Sequence, residues 1–411
     1  MSGLVAVEEA RRFVLSACRT LPAAQVPLFD ALGLVAAQPI FSSEAVPPFA
    51  NSSMDGYALR ARDVAAVPAK LRVVGVLMAG DDPGALVIGA GEAVRIMTGA
   101  ALPVGADAVC MVEHTRQQDG WVVIEEAVGP GTNVRHPGED IAAGDEVFAR
   151  GESLGPAHIG VLASLGVSQV PVFPRPRVGV VSTGDELVAG PGPLAPGKIR
   201  DSNRPALLAR LRADGFVAID LGRAGDEPGV LAQALVQAAG DCDAVLTSGG
   251  VSVGDRDIVK IVLEELGGQQ ARWFQVAVRP GKPFAFSTVP PRSTPVFGLP
   301  GNPVSALVSY ELFARPALRF MAGHQNLERP RLIAVAALDM RRHPDGKMHL
   351  VRVTVKAGPD GLEARPSGEQ GSHQMRSLAA GNALALLPDG VGVAAGERVE
   401  VWVLDLDRLS V

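Results

Sequence analysis

The sequence predicts a multidomain protein of the α/β plus β class, and three observations carry that reading. Between residues 173 and 324, apolar strand-like runs alternate with helical patterns, the signature of βαβ units and a parallel sheet. Ahead of that stretch, short segments rich in valine and isoleucine are punctuated by glycine and proline, which reads as an inserted β domain. From Arg331 onward the apolar period falls to two between glycines, which predicts a small C-terminal β domain of barrel type.

The elements follow in order. Val7, Ala10, Val14 and Ala17 recur at helical spacing, and a second short helix is expected from Leu28 to Ala37. After Pro39 the segments 71–77, 92–96, 108–113 and 121–126 read as strands, separated by Gly80, Pro83, Pro103 and Gly120. A helical patch follows at 156–165, and Pro171, Pro174 and Pro176 mark a boundary. Strands are then expected at 178–182, 216–221 and 244–247, with helices at 203–213, 228–239, 258–266 and 303–321. Segments 349–356 and 398–404 alternate in the last part. The expected domains are 1–40 with 142–172 (helical and linking), 41–141 (inserted β), 173–324 (α/β) and 325–411 (C-terminal β).

Bulk composition narrows the function. The 411 residues are 47% hydrophobic and 20% charged, enough to give each domain a core. The net charge of −6 argues against broad nucleic-acid binding, and 4% aromatics against a base-stacking platform. Cys18, Cys110 and Cys242 are far apart with no CxxC pair, so free thiols in a reducing compartment are expected rather than disulfides or a cysteine zinc site. No signal-like segment or 18-residue apolar run is present, so neither export nor a membrane span is expected.

Chemistry is expected beyond the carboxyl ends of the parallel strands. The first predicted strand leads into Ser182-Thr183-Gly184-Asp185-Glu186, the second into Gly222-Arg223-Ala224-Gly225-Asp226, and the third into TSGGVSVGDRD at 247–257. In that last loop, Ser248, Gly249, Gly250, Ser252 and Gly254 suit an anion approached by backbone N–H groups at a helix start. Asp255 and Arg256 stand where a Walker A motif requires lysine and Ser/Thr, so it is neither that motif nor a GxGxxG loop. A tight turn without ligand also fits the pattern. Glu186, Asp226 and Asp257 all follow strand ends; they suit Mg²⁺, or each caps the next helix, as Asp226 before Glu227-Pro228 would. Arg279-Pro280-Gly281-Lys282-Pro283 makes a rigid basic turn suited to an oxyanion. Pro300, Asn302 and Pro303 lead into a helix, with Asn302 at the N-cap and Pro303 at the first helical position. NSSMDGYA at 51–58 and RHPGEDI at 135–141 read alone as turns.

Taken together, these segments resemble the MoeA-type molybdopterin molybdenumtransferases, the family that includes the gephyrin E domain. The resemblance rests on NSSMDGYA (51–58), RIMTGA (95–100), PGEDI (137–141), STGDEL (182–187), DSNRP (201–205), TSGGVSVGDRD (247–257), RPGKPFAF (279–286) and GLPGNPVSA (298–306), eight motifs in one order. In the C-terminal part only Glu369-Gln370-Gly371-Ser372-His373 is familiar. It implies an elongated, four-part subunit, a homodimer, and a molybdopterin-binding α/β domain. It further implies a cytoplasmic enzyme that inserts molybdate into adenylylated molybdopterin and releases AMP with Mg²⁺. Catalytic roles are thereby implied for Asp55, Thr98, Asp140, Glu186 and Asp257, Mg²⁺ ligation for Glu186, Asp226 and Asp257, and substrate contacts for Arg279 and Lys282. A transient contact with the molybdopterin adenylyltransferase is implied as well. Gln275 stands where relatives carry lysine, and Arg279 replaces another lysine; nearby Arg272 is a candidate to compensate. The rival readings are the preceding adenylylation step, a tungstate-inserting enzyme, and a scaffolding protein.

Overall fold

The computed structural model describes residues 3–84, 86–251, 258–358 and 361–409. The chain forms two compact units. One comprises Gln25–Leu32 and Ala36–Pro171; the other comprises Met1–Ala24, Gly33–Val35 and Val172–Val411.

Helix α1 (Val7–Ala17) buries Val7, Ala10 and Val14, the stripe its spacing predicts. Phe13 meets Phe274 and Phe286 edge-on at centroid separations of 5.6 and 6.0 Å, which places α1 in the core of the second unit. The helix expected from Leu28 to Ala37 does not form. Leu28–Ala31 is one 3-10 turn, Gly33 bends the chain at φ 75°, and Val35–Ala36 is extended.

The first unit is built on β1 (Gly56–Leu59), β2 (Ala69–Leu77), β3 (Glu92–Ile96), β4 (Ala108–Met111), β5 (Thr115–Gln118) and β6 (Trp121–Ile124), in the order β4-β1-β3-β2-β6-β5. Both faces are covered: in β1, Tyr57 and Leu59 enter one core and Ala58 the other. Helix α2 (Pro156–Ser164) opens with proline at its first position.

The second unit holds the α/β sheet: β7 (Arg177–Thr183), α3 (Asn203–Ala213), β8 (Val217–Ala224), α4 (Pro228–Asp241), β9 (Ala244–Ser248), α5 (Ile258–Gly267), β10 (Arg272–Gln275), β11 (Pro283–Val289), β12 (Thr294–Leu299) and α6 (Pro303–Ser309). Its order is β8-β7-β9-β12-β11-β10. The first four strands run parallel, and β11 and β10 add an antiparallel edge. Strands β10 to β12 escape sequence reading because Pro283, Pro290, Pro291 and Pro295 imitate turn signals, yet each sits at a strand start or in the hairpin turn. The helix expected from Pro303 to Met321 is one run with a π-turn at Tyr310–Ala314, leading into α7 (Arg315–Met321). Pro316 lacks an N–H to give the preceding turn, and the widened turn lies immediately before it.

Strands β13 (Arg331–Ala336), β14 (Met348–Gly358), β15 (Gly361–Pro366), β16 (Ala383–Leu387) and β17 (Arg398–Val403), with helix α8 (Met375–Ala380) between β15 and β16, form the C-terminal part. The order β14-β15-β13-β17-β16 closes through β16 back onto β14, so this is a five-stranded barrel. The two-residue strand Val278–Arg279 pairs in parallel with the outside of β14, matching Arg279 to His349. Between α3, the π-turn and the segment leading to β13 lies a buried ionic cluster. Asp214 accepts from Arg210 at 2.7 Å, from Arg329 at 2.7 Å and from the Tyr310 hydroxyl at 2.8 Å, and Arg329 also donates to Glu311 at 2.8 Å.

Candidate active site

The parallel strands β7, β9 and β12 end side by side, and their terminal residues define a cradle. Ser248 closes β9 and is followed by Gly249 and Gly250, both in the left-handed region at φ 100° and 64°. A Cβ on Gly249 would lie 2.8 Å from the Thr183 carbonyl oxygen, and one on Gly250 would lie 2.9 Å from Val259 Cγ2. The tandem glycines are therefore required by packing as well as by backbone conformation. Gly249 N–H donates to the Leu299 carbonyl at 3.1 Å, which ties the loop to the end of β12.

Asn203, the first residue of α3, draws the cradle together. Its Nδ2 donates to Ser248 Oγ and to the Gly301 carbonyl, each at 2.7 Å. One residue before the helix cap, Asp201 accepts from Ser182 Oγ at 2.6 Å and from Arg204 Nε at 2.9 Å, so the end of β7 is held in the same network. Thr247 Oγ1 and Asn203 Oδ1 are buried beside the cradle without a hydrogen-bond partner among the described residues. Sequence reading quoted DSNRP as a motif but gave Asp201 and Asn203 no role. Their position at the start of a helix following a strand end was the available signal.

The expected acids divide. Glu186 and Asp226 are exposed beyond β7 and β8. Asp226 does not cap α4; Glu227 holds that position, with Pro228 next. Instead Asp226 Oδ2 accepts the Asp185 N–H at 3.1 Å, which sets its carboxylate one residue from Glu186. Ser252, Gly254 and Asp257 lie outside the described residues. Among the described residues no three His, Cys, Asp or Glu side chains cluster as a metal site. All three cysteines are free and buried.

Pro300 is buried, whereas Gly301 and Asn302 are exposed at the head of α6. Asn302 takes the N-cap position and Pro303 the first helical one, as expected, but the Asn302 side chain makes no capping bond. The Val304 N–H donates to the Ser372 carbonyl at 3.0 Å, so the familiar 369–373 loop of the C-terminal part reaches this helix start. That loop is fixed by Arg352, which sequence reading missed. Arg352 is 1% exposed and donates to the carbonyls of Glu369, Gln370 and Gly371 at 2.8, 3.0 and 3.0 Å. A lone arginine at a buried position of an alternating strand was its signal.

Arg279 and Lys282 are both exposed, and they diverge. Arg279 lines a cavity of about 570 Å³ together with Arg342, Asp345, His349, Arg352 and Gln370, whereas Lys282 does not. Gly281 between them has φ 103°, and a Cβ there would lie 3.0 Å from Ser309 Oγ on α6. Arg272, the candidate to compensate at Gln275, donates to the Gln269 carbonyl, and its guanidinium lies 5.4 Å from the Phe13 ring centroid.

In the first unit, Asp55 and Thr98 come together across 43 residues of chain. Asp55 Oδ1 accepts the Thr98 N–H at 2.7 Å and the Thr98 hydroxyl at 2.8 Å. These bonds, the backbone one foremost, hold the Asp55 carboxyl below its ordinary range. Gly56 follows because a Cβ there would lie 2.0 Å from the Cys110 carbonyl oxygen. The strand Val134–Arg135 pairs with Asn51–Ser52, which sets the RHPGEDI turn beside the NSSMDGYA turn. Asp140 is exposed on that turn, its N–H donating to the Val46 carbonyl at 3.0 Å. No hydrogen bond joins its side chain to Asp55 or Thr98 among the described residues.

The chain is similar to known proteins over nearly its full length. Residues 5–166 match the MoeA N-terminal region (domain I and II), 179–319 a probable molybdopterin binding domain, and 334–404 the MoeA C-terminal region (domain IV). Molybdopterin molybdenumtransferase 2 of Mycobacterium tuberculosis is 38% identical over 409 residues, covering 97% of this chain and 99% of that protein. The molybdopterin molybdenumtransferase of Haemophilus influenzae is 38% identical over 378 residues, covering 91% and 92%. A crystal structure of the molybdopterin biosynthesis MoeA protein of Pyrococcus horikoshii superposes with a TM-score of 0.84 at 32% identity, covering 98% of this chain and all of that one. The chain belongs to the MoeA family, that of the molybdopterin molybdenumtransferases.

Proposed function

We propose that this chain inserts molybdate into adenylylated molybdopterin with release of AMP; its relatives are named molybdopterin molybdenumtransferases. The observation that carries the reading is the cradle at the three parallel strand ends, where Gly249 and Gly250 let the chain turn tightly beside Ser248 and Asn203. Such a surface suits the pterin phosphate. Ser252 and Gly254 extend the same loop in this reading. Pro300, Asn302 and Pro303 shape its far side. Arg279 and Lys282 take the oxyanions, molybdate or the adenylate, with arginine able to grip one bidentately.

Mg²⁺ is a finer part of the proposal. Glu186 and Asp226 are exposed oxygen donors brought within one residue of each other by the Asp226–Asp185 bond, and hard oxygen donors suit this ion. Two carboxylates fit a cation that shares its shell with phosphate oxygens rather than a resident metal in a closed cage. Asp257 is kept as a third donor. When bound, the ion would stabilise charge on the pyrophosphate as it is cleaved.

Asp55, Thr98 and Asp140 form a second group of catalytic candidates, and a homodimer belongs to the same reading. We read the chain as four parts, 1–40 with 142–172, 41–141, 173–324 and 325–411, with helix α1 of the first part packed in the core of the second unit. Among the described residues no helix is long and apolar enough to cross a membrane. A cytoplasmic location and a transient contact with the adenylyltransferase belong to the same reading. The test is AMP release from adenylylated molybdopterin with and without molybdate. Molybdate-dependent release supports insertion; turnover of molybdopterin with Mg-ATP instead would assign the chain to the preceding step.

A further inference from the structure

We propose that the His349–Asp345 pair takes up a proton when an oxyanion enters the cavity beside Arg279, making His349 a positioning residue that couples binding to pH. This rests on the reading of Arg279 as an oxyanion ligand.

The geometry is that of a held imidazole with one free nitrogen. Parallel pairing of Val278–Arg279 with β14 sets Arg279 directly alongside His349, and both line the cavity of about 570 Å³. His349 Nε2 lies 3.2 and 3.3 Å from the two Asp345 carboxylate oxygens, with the ring 15% exposed. An acceptor-only carboxylate requires Nε2 to carry the proton. Nδ1 is then the nitrogen that stays unprotonated, and it has no hydrogen-bond partner among the described residues.

The charges around the ring help hold its pKa below the ordinary imidazole value before a ligand arrives. Arg342 and Lys347 come from the turn ahead of β14 and donate to Asp345 at 2.6 and 2.8 Å. Asp389 stands behind, accepting from Arg342 at 2.9 Å. Arg279 faces the ring from the paired strand, and Arg352 lines the cavity from β14 itself. Asp345 is thus largely satisfied by two cations, and its hold on the imidazole is diluted. Burial lowers the His349 pKa, Asp345 raises it, and Arg342 and Arg279 lower it again, with a net downward direction. A bound oxyanion reverses the balance by neutralising Arg279 and adding negative charge next to the ring. Nδ1 then gains a proton from solvent and becomes a second donor.

The sign follows from linkage. A group whose pKa is higher in the complex than in the free protein makes binding tighter as pH falls between those two values. Affinity should therefore rise by up to about tenfold per pH unit lowered within that window, whose lower edge lies below the ordinary imidazole value. The experiment is calorimetric titration of the full-length protein with molybdate alone, and separately with AMP alone, in buffers of different ionisation enthalpy. Proton uptake with molybdate is expected in the wild type, absent in His349→Gln, and displaced to lower pH in Asp345→Asn. Uptake with AMP and not molybdate would assign the oxyanion to the adenylate phosphate and leave the coupling intact. Equal proton uptake in wild type and His349→Gln would overturn the proposal even though the oxyanion still binds. Undiminished molybdate and AMP binding by Arg279→Ala would instead overturn the underlying reading of Arg279. Nitrogen-15 shifts of the His349 ring give a second measure: Nδ1 should shift to a protonated value on oxyanion addition, and an unchanged shift refutes the mechanism.

Discussion

Asn203 donates through Nδ2 to Ser248 Oγ at 2.7 Å, joining the start of α3 to the end of β9 across 45 residues. The same nitrogen reaches the Gly301 carbonyl, so a single amide spans two of the loops that form the cradle. Replacing Asn203 with alanine releases both. Two lost hydrogen bonds correspond to about 1–3 kcal/mol of stability. The looser cradle should lower kcat/KM for AMP release by roughly tenfold or more. Denaturant unfolding and initial-rate kinetics on one preparation check both numbers. A variant with full activity would remove Asn203 from the site.

Gly249 and Gly301, which meet in the cradle, make a sharper contrast. Gly249→Ala forces a Cβ to 2.8 Å from the Thr183 carbonyl at φ 100°, and strain of that kind costs about 1–3 kcal/mol. Gly301→Ala meets nothing closer than Gly249 Cα at 3.7 Å. The first substitution should lower the melting temperature and substrate affinity together. The second should leave stability within about 0.5 kcal/mol. Thermal melts of the pair decide it.

Asp55 offers a titration test. Two bonds from Thr98 depress its pKa, so the carboxylate form is favoured in the folded protein. The stability linked to it is present above the unfolded-state pKa of about 3.9 and is lost as pH falls through the lower folded value. Thr98→Val removes the hydroxyl bond, keeps the backbone bond, and should move the Asp55 midpoint part of the way back. Carboxyl carbon shifts followed by NMR measure that midpoint directly. No movement in Thr98→Val would mean that the hydroxyl contributes nothing.

Much of this was legible in the sequence, for identifiable reasons. Strands β7, β8 and β9 and helices α3 to α5 announce themselves because each presents a single period between turn residues. Strands β10 to β12 do not, since prolines at strand starts and in the hairpin turn imitate loop signals. Arg279 was legible as a cation in a rigid turn, but its place beside His349 was not. That relation depends on a two-residue strand leaving the α/β sheet to pair with the barrel, which no local pattern encodes. The alternative of Asp226 as a cap fails because sequence spacing cannot tell which of two adjacent acids starts the helix. Its bond to the Asp185 N–H emerges only when β7 and β8 lie side by side.

Arg352 yields a prediction about shape as much as charge. Burial lowers its pKa to about 10, yet four acceptors hold it: three carbonyls of the 369–371 loop and Ser377 Oγ at 3.1 Å. Arg352→Met leaves those carbonyls without donors, at a cost of about 3 kcal/mol or more. Arg352→Lys should fail to restore stability, because one ammonium cannot reach acceptors arranged around a planar fork. Hydrogen exchange at Val304 reports the loop directly, since its N–H donates to the Ser372 carbonyl. Faster exchange is expected in both variants; protection equal to wild type in Arg352→Lys would show that charge alone suffices.

The ionic cluster around Asp214 gives the last expectation. Burial pushes the Asp214 pKa up, but the bond from Arg210 and the charges of Arg329, Arg210 and Arg315 outweigh it and hold the carboxyl below its ordinary range. Its linked stability is therefore intact above the unfolded-state pKa and drains as pH falls through the folded value. Asp214→Asn keeps the volume and removes the charge, leaving Arg210, Arg315 and Arg329 with Glu311 as the remaining acid of the cluster. A loss of about 3–5 kcal/mol is expected at neutral pH. Arg329→Met should lose less, since Arg210 and Arg315 still face Asp214. Unfolding curves at neutral and acid pH separate the cases. The gap between wild type and Asp214→Asn must narrow toward acid, because protonated Asp214 is by then as neutral as asparagine.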